Sequence, residues 1–83
     1  KDKKMKTKTQ TVPKQYEGKI KIYDEGAVVR NRFGGASIEL NALELSIYDY
    51  LMGCERMQDG KGLRVGLDWF IKNNSKAYGV LLD

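Results

Sequence analysis

Residues 40–58, LNALELSIYDYLMGCERMQ, carry the strongest local signals in the chain, and the fold is read outward from them. Asn41 is a good N-cap residue, and Glu44 follows three positions later. At that spacing a cap side chain and a glutamate satisfy each other's backbone N–H groups. Leu40 and Leu45 stand at the two positions of a hydrophobic staple. Leu43, Ile47, Tyr50, Leu51 and Cys54 then recur at helical spacing and define a core-facing stripe. The pattern predicts a helix from Ala42 to about Gln58, stopped by the DGKG run at 59–62. A second helix is predicted from near Gly62, with Leu63, Leu67, Phe70 and Ile71 as its apolar face. The Asn-Asn-Ser run at 73–75 ends it, because Asn tolerates left-handed backbone.

On the N-terminal side, KIKIY at 19–23 alternates, with Ile20 and Ile22 on one face and Lys19, Lys21 and Tyr23 on the other. DEG at 24–26 supplies turn chemistry, with Gly26 suited to a positive φ, and AVVRNRF at 27–33 reads as the second strand of a hairpin. The glycine pair 34–35 then breaks the sheet. On the C-terminal side, AYGVLL at 77–82 is a nearly continuous apolar run and reads as a covered strand. The expected order is β-β-α-α-β: a single small α+β domain over residues 15–83, two helices on a sheet with a C-terminal strand. Residues 1–14 are expected to form a flexible basic leader, in which TKTQTV at 7–12 offers an edge strand.

The chain has 83 residues, with 15 Lys and Arg against 11 Asp and Glu, a formal charge of +4. Residues 1–14 hold six lysines against the single Asp2, so the folded part is close to neutral. The leader is a solvated terminus or an arm that neutralises phosphates. No apolar run follows its lysines, and nothing approaches the ~18 apolar residues of a membrane span, so a cytoplasmic location is expected. With Cys54 alone and no histidine, neither an internal disulfide nor a zinc cluster is expected, and no cofactor. A core of this size supplies only about 3–5 kcal/mol, and with those reinforcements unavailable a homodimer is the expected remedy.

The residues give no catalytic signature, so the protein reads as non-enzymatic. Glu44 and Glu55 lie about 16 Å apart along the helix, too far for a carboxylate pair. The Gly34-Gly35 bend has no following lysine and is not a phosphate loop. Two binding surfaces stand out instead. Leu45, Tyr48 and Met52 of the first helix and Val65 and Trp69 of the second lie off the core stripes and mark an expected protein interface, for a second copy or for a host or viral partner. The alternative is nucleic-acid binding. In a hairpin where Ile22 faces Val29, Lys19, Lys21, Tyr23, Arg30 and Arg32 share one face. Opposed like charges destabilise a sheet unless an acidic partner meets them.

Glu39–Asp49, in the pattern Glu-Leu-x-Ala-Leu-Glu-x-x-x-Tyr-Asp, and the closing Trp69–Asp83 resemble stretches of short uncharacterised proteins of tailed bacteriophages of marine cyanobacteria. The resemblance implies an accessory protein of viral or marine-environmental origin working in an infected cell. It implies no ligand, activity or catalytic residue.

Overall fold

The computed structural model describes residues 10–83; the lysine-rich stretch 1–9 lies outside them. Helix α1 spans Ala42–Arg56 and begins as its sequence dictates. The Asn41 Oδ1 accepts from the Glu44 N–H at 2.8 Å, and the Glu44 Oε1 accepts from the Asn41 N–H at 2.9 Å. Of the expected stripe Ile47, Leu51 and Cys54 are buried and Leu43 and Tyr50 half-buried, and Leu40, the staple residue before the cap, is fully buried. The helix stops in a Schellman turn: Gln58 N–H donates to the Glu55 carbonyl at 3.1 Å and Asp59 N–H to the Cys54 carbonyl at 2.8 Å. That turn puts Gln58 at φ 61°, where a residue with a Cβ is strained. Gln58→Gly should therefore raise stability by roughly 0.5–1 kcal/mol, read as a melting temperature about 4 °C higher.

Asp59 closes one helix and opens the next. Its Oδ1 accepts from Gly62 N–H at 3.0 Å and caps α2, Gly60–Asn73. At Gly66 the two helices make their close approach, where an added Cβ would lie 2.7 Å from the Leu51 Cβ and 2.5 Å from the Tyr16 hydroxyl. This crossing sets the rotation of α2. Gly66, Trp69 and Phe70 turn inward, while Ile71, assigned to the core face from its spacing, is 48% exposed.

The expected β-β-α-α-β order is corrected at both ends. AYGVLL is a helix. Asn74 adopts an extended φ of −159°, not a left-handed one, and its side chain accepts from Ala77 N–H at 3.1 Å. From there α3, Ser75–Ala77, runs on into a π-helical turn, Tyr78–Leu82, closed by Asp83 N–H to the Tyr78 carbonyl at 2.9 Å. Ala77 and Leu81, four apart, bury their side chains. The sheet, among the described residues, is a two-stranded hairpin, and its pairing displaces the predicted one. Strand β1, Ala27–Arg30, pairs with β2, Ser37–Leu40, and Val29 faces Ile38 instead of Ile22. The glycine pair lies in the connecting loop and does not end the sheet. KIKIY is irregular and runs beside α1, where Tyr23 N–H donates to the Ser46 Oγ at 2.9 Å. Gly26 has no positive φ; it is needed because the chain there passes against the backbone of Leu40 and Asn41.

The core is closed by a segment that periodicity does not reveal. Residues 10–16 lie along α2 in the reverse direction. Gln10 reaches the Asn73 carbonyl at 3.5 Å, the Thr11 carbonyl accepts from the Trp69 indole N–H at 2.7 Å, and the Tyr16 hydroxyl donates to the Gly62 carbonyl at 2.6 Å. A 3-10 turn, Lys14–Tyr16, delivers Tyr16 into the space that Gly66 leaves, where it is 1% exposed. Buried Glu44 ties this segment to the rest: its Oε2 accepts from Gln10 at 2.8 Å and from Asn74 at 3.0 Å. A buried carboxylate is tolerable only when its lone pairs are met in this way.

Candidate interaction site

The loop between the strands, residues 31–36, is built on Asn31. Its Oδ1 accepts from Phe33 N–H at 2.6 Å, and its backbone N–H donates to the Ala36 carbonyl at 2.8 Å. Its Nδ2 donates to the Val80 carbonyl at 2.7 Å, satisfying a carbonyl near the C-terminal end of the last helix. One asparagine thus folds the loop and fixes it to the body of the protein.

Arg32 carries the next link. Its guanidinium makes a forked pair with Glu55 of α1, at 2.8 and 2.9 Å, and its Cζ lies 4.9 Å from the centre of the Phe33 ring. The Glu55 carboxylate raises the Arg32 pKa above its ordinary value. Phe33 itself is 86% exposed, the most exposed large apolar residue described. Beside it a cleft of about 150 Å³ is lined by Met52, Leu63, Leu67 and Leu82 together with Glu55 and Asp83. An exposed aromatic thus stands next to a half-buried apolar cleft with a polar rim.

The residues expected to form an interface are placed differently. Trp69 is 8% exposed and meets Phe70 edge-on, with ring centres 5.1 Å apart. Tyr48 is buried, which raises its phenol pKa. Leu45, Met52 and Val65 are half-buried against the core. The Val65–Trp69 face is covered by residues 10–16, so the apolar surface that reads as needing a partner is met within the chain. Of the five, only Met52 reaches the cleft at Phe33.

The basic face is likewise dispersed, because residues 19–23 are not a strand. Lys19 and Lys21 are exposed on the irregular segment, Tyr23 donates its hydroxyl to Asp49, Arg30 stands exposed on β1, and Arg32 is held by Glu55. Residues 10–83 carry ten basic and ten acidic side chains.

Elsewhere, Tyr50, Lys19, Lys61 and Asp59 line a cleft of about 250 Å³, in which the Asp59 carboxylate is engaged in capping α2. Cys54 is buried, and burial first, then the Asp59 charge, pushes its thiol pKa up, away from thiolate reactivity. Among the described residues no group of three or more Cys, Asp and Glu side chains is placed to hold a metal ion. Nor is any described helix long and apolar enough to cross a membrane. Neither a family model nor a curated protein nor a solved structure matches the chain.

Phe33 does not stand out in the sequence, where it closes the expected strand 27–33 before a glycine bend. The signal was present in the aromatic next to two glycines, which marks a hairpin tip once SIEL at 37–40 is taken as the returning strand.

Proposed function

We propose that the protein is a non-enzymatic accessory protein that acts by binding other proteins, and that it self-associates. The observation that carries this reading is Phe33, 86% exposed beside an apolar cleft, with the Arg32 guanidinium over its ring. Exposing such a ring to water is unfavourable, and a partner that covers it recovers that cost, as large aromatics do at interface hot spots. The resemblance of residues 39–49 and 69–83 to phage proteins makes a host or viral protein the natural partner. Nucleic acid is the less supported ligand, since Arg32 and Tyr23 already have carboxylate partners and the described residues balance in charge.

Benzoylphenylalanine placed at position 33 should photo-crosslink to one discrete protein in an extract of the producing cells. Excess unlabelled wild type should compete that adduct away and excess Phe33→Ser should not. The serine variant itself should keep its stability to within about 0.5 kcal/mol, as surface changes do. An adduct to nucleic acid, or no adduct that wild type competes for, overturns the proposal.

A further inference from the structure

We infer that the free edge of β1 is the self-association surface, pairing antiparallel with β1 of a second copy about a two-fold axis at Val29; this rests on the reading that the protein self-associates. The direction of the main-chain groups follows from the hairpin's register. Asn31 and Ala36 continue the pairing of Ala27 with Leu40 through Arg30 with Ser37, and Asn31 N–H donates to the Ala36 carbonyl. In an antiparallel ladder hydrogen-bonded and non-hydrogen-bonded pairs alternate. The pairs Val29–Ile38 and Ala27–Leu40 therefore exchange the ladder bonds. Val28 and Arg30 fall at the positions between, and their N–H and C=O groups point away from β2. Strand β2 carries the contacts to α1 and to the terminal helix. Among the described residues no further strand pairs with the outer edge of β1, where Val28 is 67% exposed and Arg30 exposed.

The sequence of β1 fits a second copy of itself. With Val29 opposite Val29, Val28 of each copy faces Arg30 of the other, and every outward donor and acceptor within both strands finds a partner. Arg30 is the kind of residue that guards edges against unwanted pairing. In this register it meets a valine and not another arginine, and the second copy's Glu39 stands in the same cross-strand row. Centring on Arg30 would oppose the two arginines directly, which is unfavourable. A two-stranded sheet is marginal by itself, whereas pairing makes one continuous sheet across both copies and extends the Val29–Ile38 face. The small core, with its single cysteine, supplies the need. The Phe33 faces are not used in this contact, so the dimer would present two of them.

The test is solution mass against concentration for the full chain, with amide hydrogen exchange followed at Val28 and Arg30. Wild type should move from monomer to dimer as concentration rises, and those two amides should gain protection in step. Val28→Pro removes only an outward N–H and follows an extended Ala27, so it should leave the hairpin ladder intact and abolish the dimer. Phe33→Ser should leave the dimer unchanged, which separates this site from the partner-binding face. A wild type that stays monomeric at every concentration overturns the inference. So does a dimer in which Val28 and Arg30 exchange as freely as in the monomer. Should Val28→Pro fail to fold, the exchange pattern of wild type decides alone.

Discussion

Gly26→Ala should remove most of the stability of this protein. The residue is exposed and enters β1, and neither its burial nor its φ marks it as special. Its importance lies in the backbone across from it. A Cβ at position 26 would overlap the Leu40 carbonyl oxygen and stand 2.8 Å from the Asn41 Cα. Those atoms cannot yield cheaply. The Asn41 carbonyl accepts from Leu45 N–H at 2.8 Å in the first turn of α1, and the Asn41 side chain and N–H hold the capping box. Relieving the clash means moving the junction of β2 and α1, or peeling β1 away from it. Overpacking typically costs 1–3 kcal/mol, and a collision with backbone belongs at the upper end, so about 3 kcal/mol is expected. With only about 3–5 kcal/mol available to a core of this size, the midpoint of urea unfolding should fall by about 2 M. Gly53→Ala is the control of opposite sign. No atom lies within 4 Å of its new methyl group, and alanine in a helix is favoured by about 1 kcal/mol. A Gly26→Ala protein within 0.5 kcal/mol of wild type would mean that the β2–α1 junction gives way freely.

Tyr16→Ala should be comparably severe, and it has an optical signature. Tyr16 is 1% exposed, its ring centre lies 4.4 Å from that of Tyr50, and its hydroxyl bonds the Gly62 carbonyl. Truncating a buried aromatic of this size costs about 3–5 kcal/mol. Tyr16→Phe should cost about 1 kcal/mol, because it leaves a half-buried carbonyl with one partner fewer. The chain has one tryptophan, whose indole N–H is held by Thr11, so undocking of residues 10–16 should shift Trp69 emission to the red. An unshifted spectrum with unchanged stability would show that Tyr16 does not hold the segment. Burial also raises the Tyr16 phenol pKa well above its usual 10.0, with lesser contributions from Cys54 and Tyr50. A pKa raised on folding gives stability that is full below pH 10 and is lost as pH rises past it, where the unfolded chain's tyrosine ionises and the folded one does not. Tyr16→Phe should flatten that alkaline decline.

The parts of the fold legible in the sequence were those fixed by near neighbours. The start of α1 depends on Asn41 and Glu44 three residues apart, and reads correctly. Of the stripe expected from the helical period Ile47, Leu51 and Cys54 are buried, Leu43 and Tyr50 only half-buried, and Tyr48 is buried though its spacing places it off the stripe. Alternation was less decisive. KIKIY and SIEL both alternate and AVVR is apolar enough to pair with either, so which two pair depends on what each packs against, not on the pattern itself. The Asn31 side chain shapes the loop that joins the second and third of these, and Tyr23 takes the first to α1. The terminal apolar run was ambiguous for a related reason. Six residues do not distinguish a period of 2 from one of 3.6. Asn74 capping Ala77 and Asn31 bonding the Val80 carbonyl are contacts that favour the helix.

The β-β-α-α-β arrangement that the sequence suggested does not form. What the sequence determined by itself, then, was that the domain mixes helix with sheet, that α1 and α2 form, and where α1 begins. Those features rest on hydrogen bonds and side-chain pairs within a few residues, and their free energy is largely local. Tertiary structure alone decided which strands pair, the rotation of α2 and the fate of Trp69. The spacing of Val65 and Trp69 shows an apolar face in need of cover. That the cover comes from residues 10–16 follows from Gly66 making room for Tyr16, from Thr11 meeting the indole and from Glu44 receiving Gln10, contacts between residues 34 to 58 positions apart. Interactions at such separation have no period, because they arise only when packed elements bring the groups together.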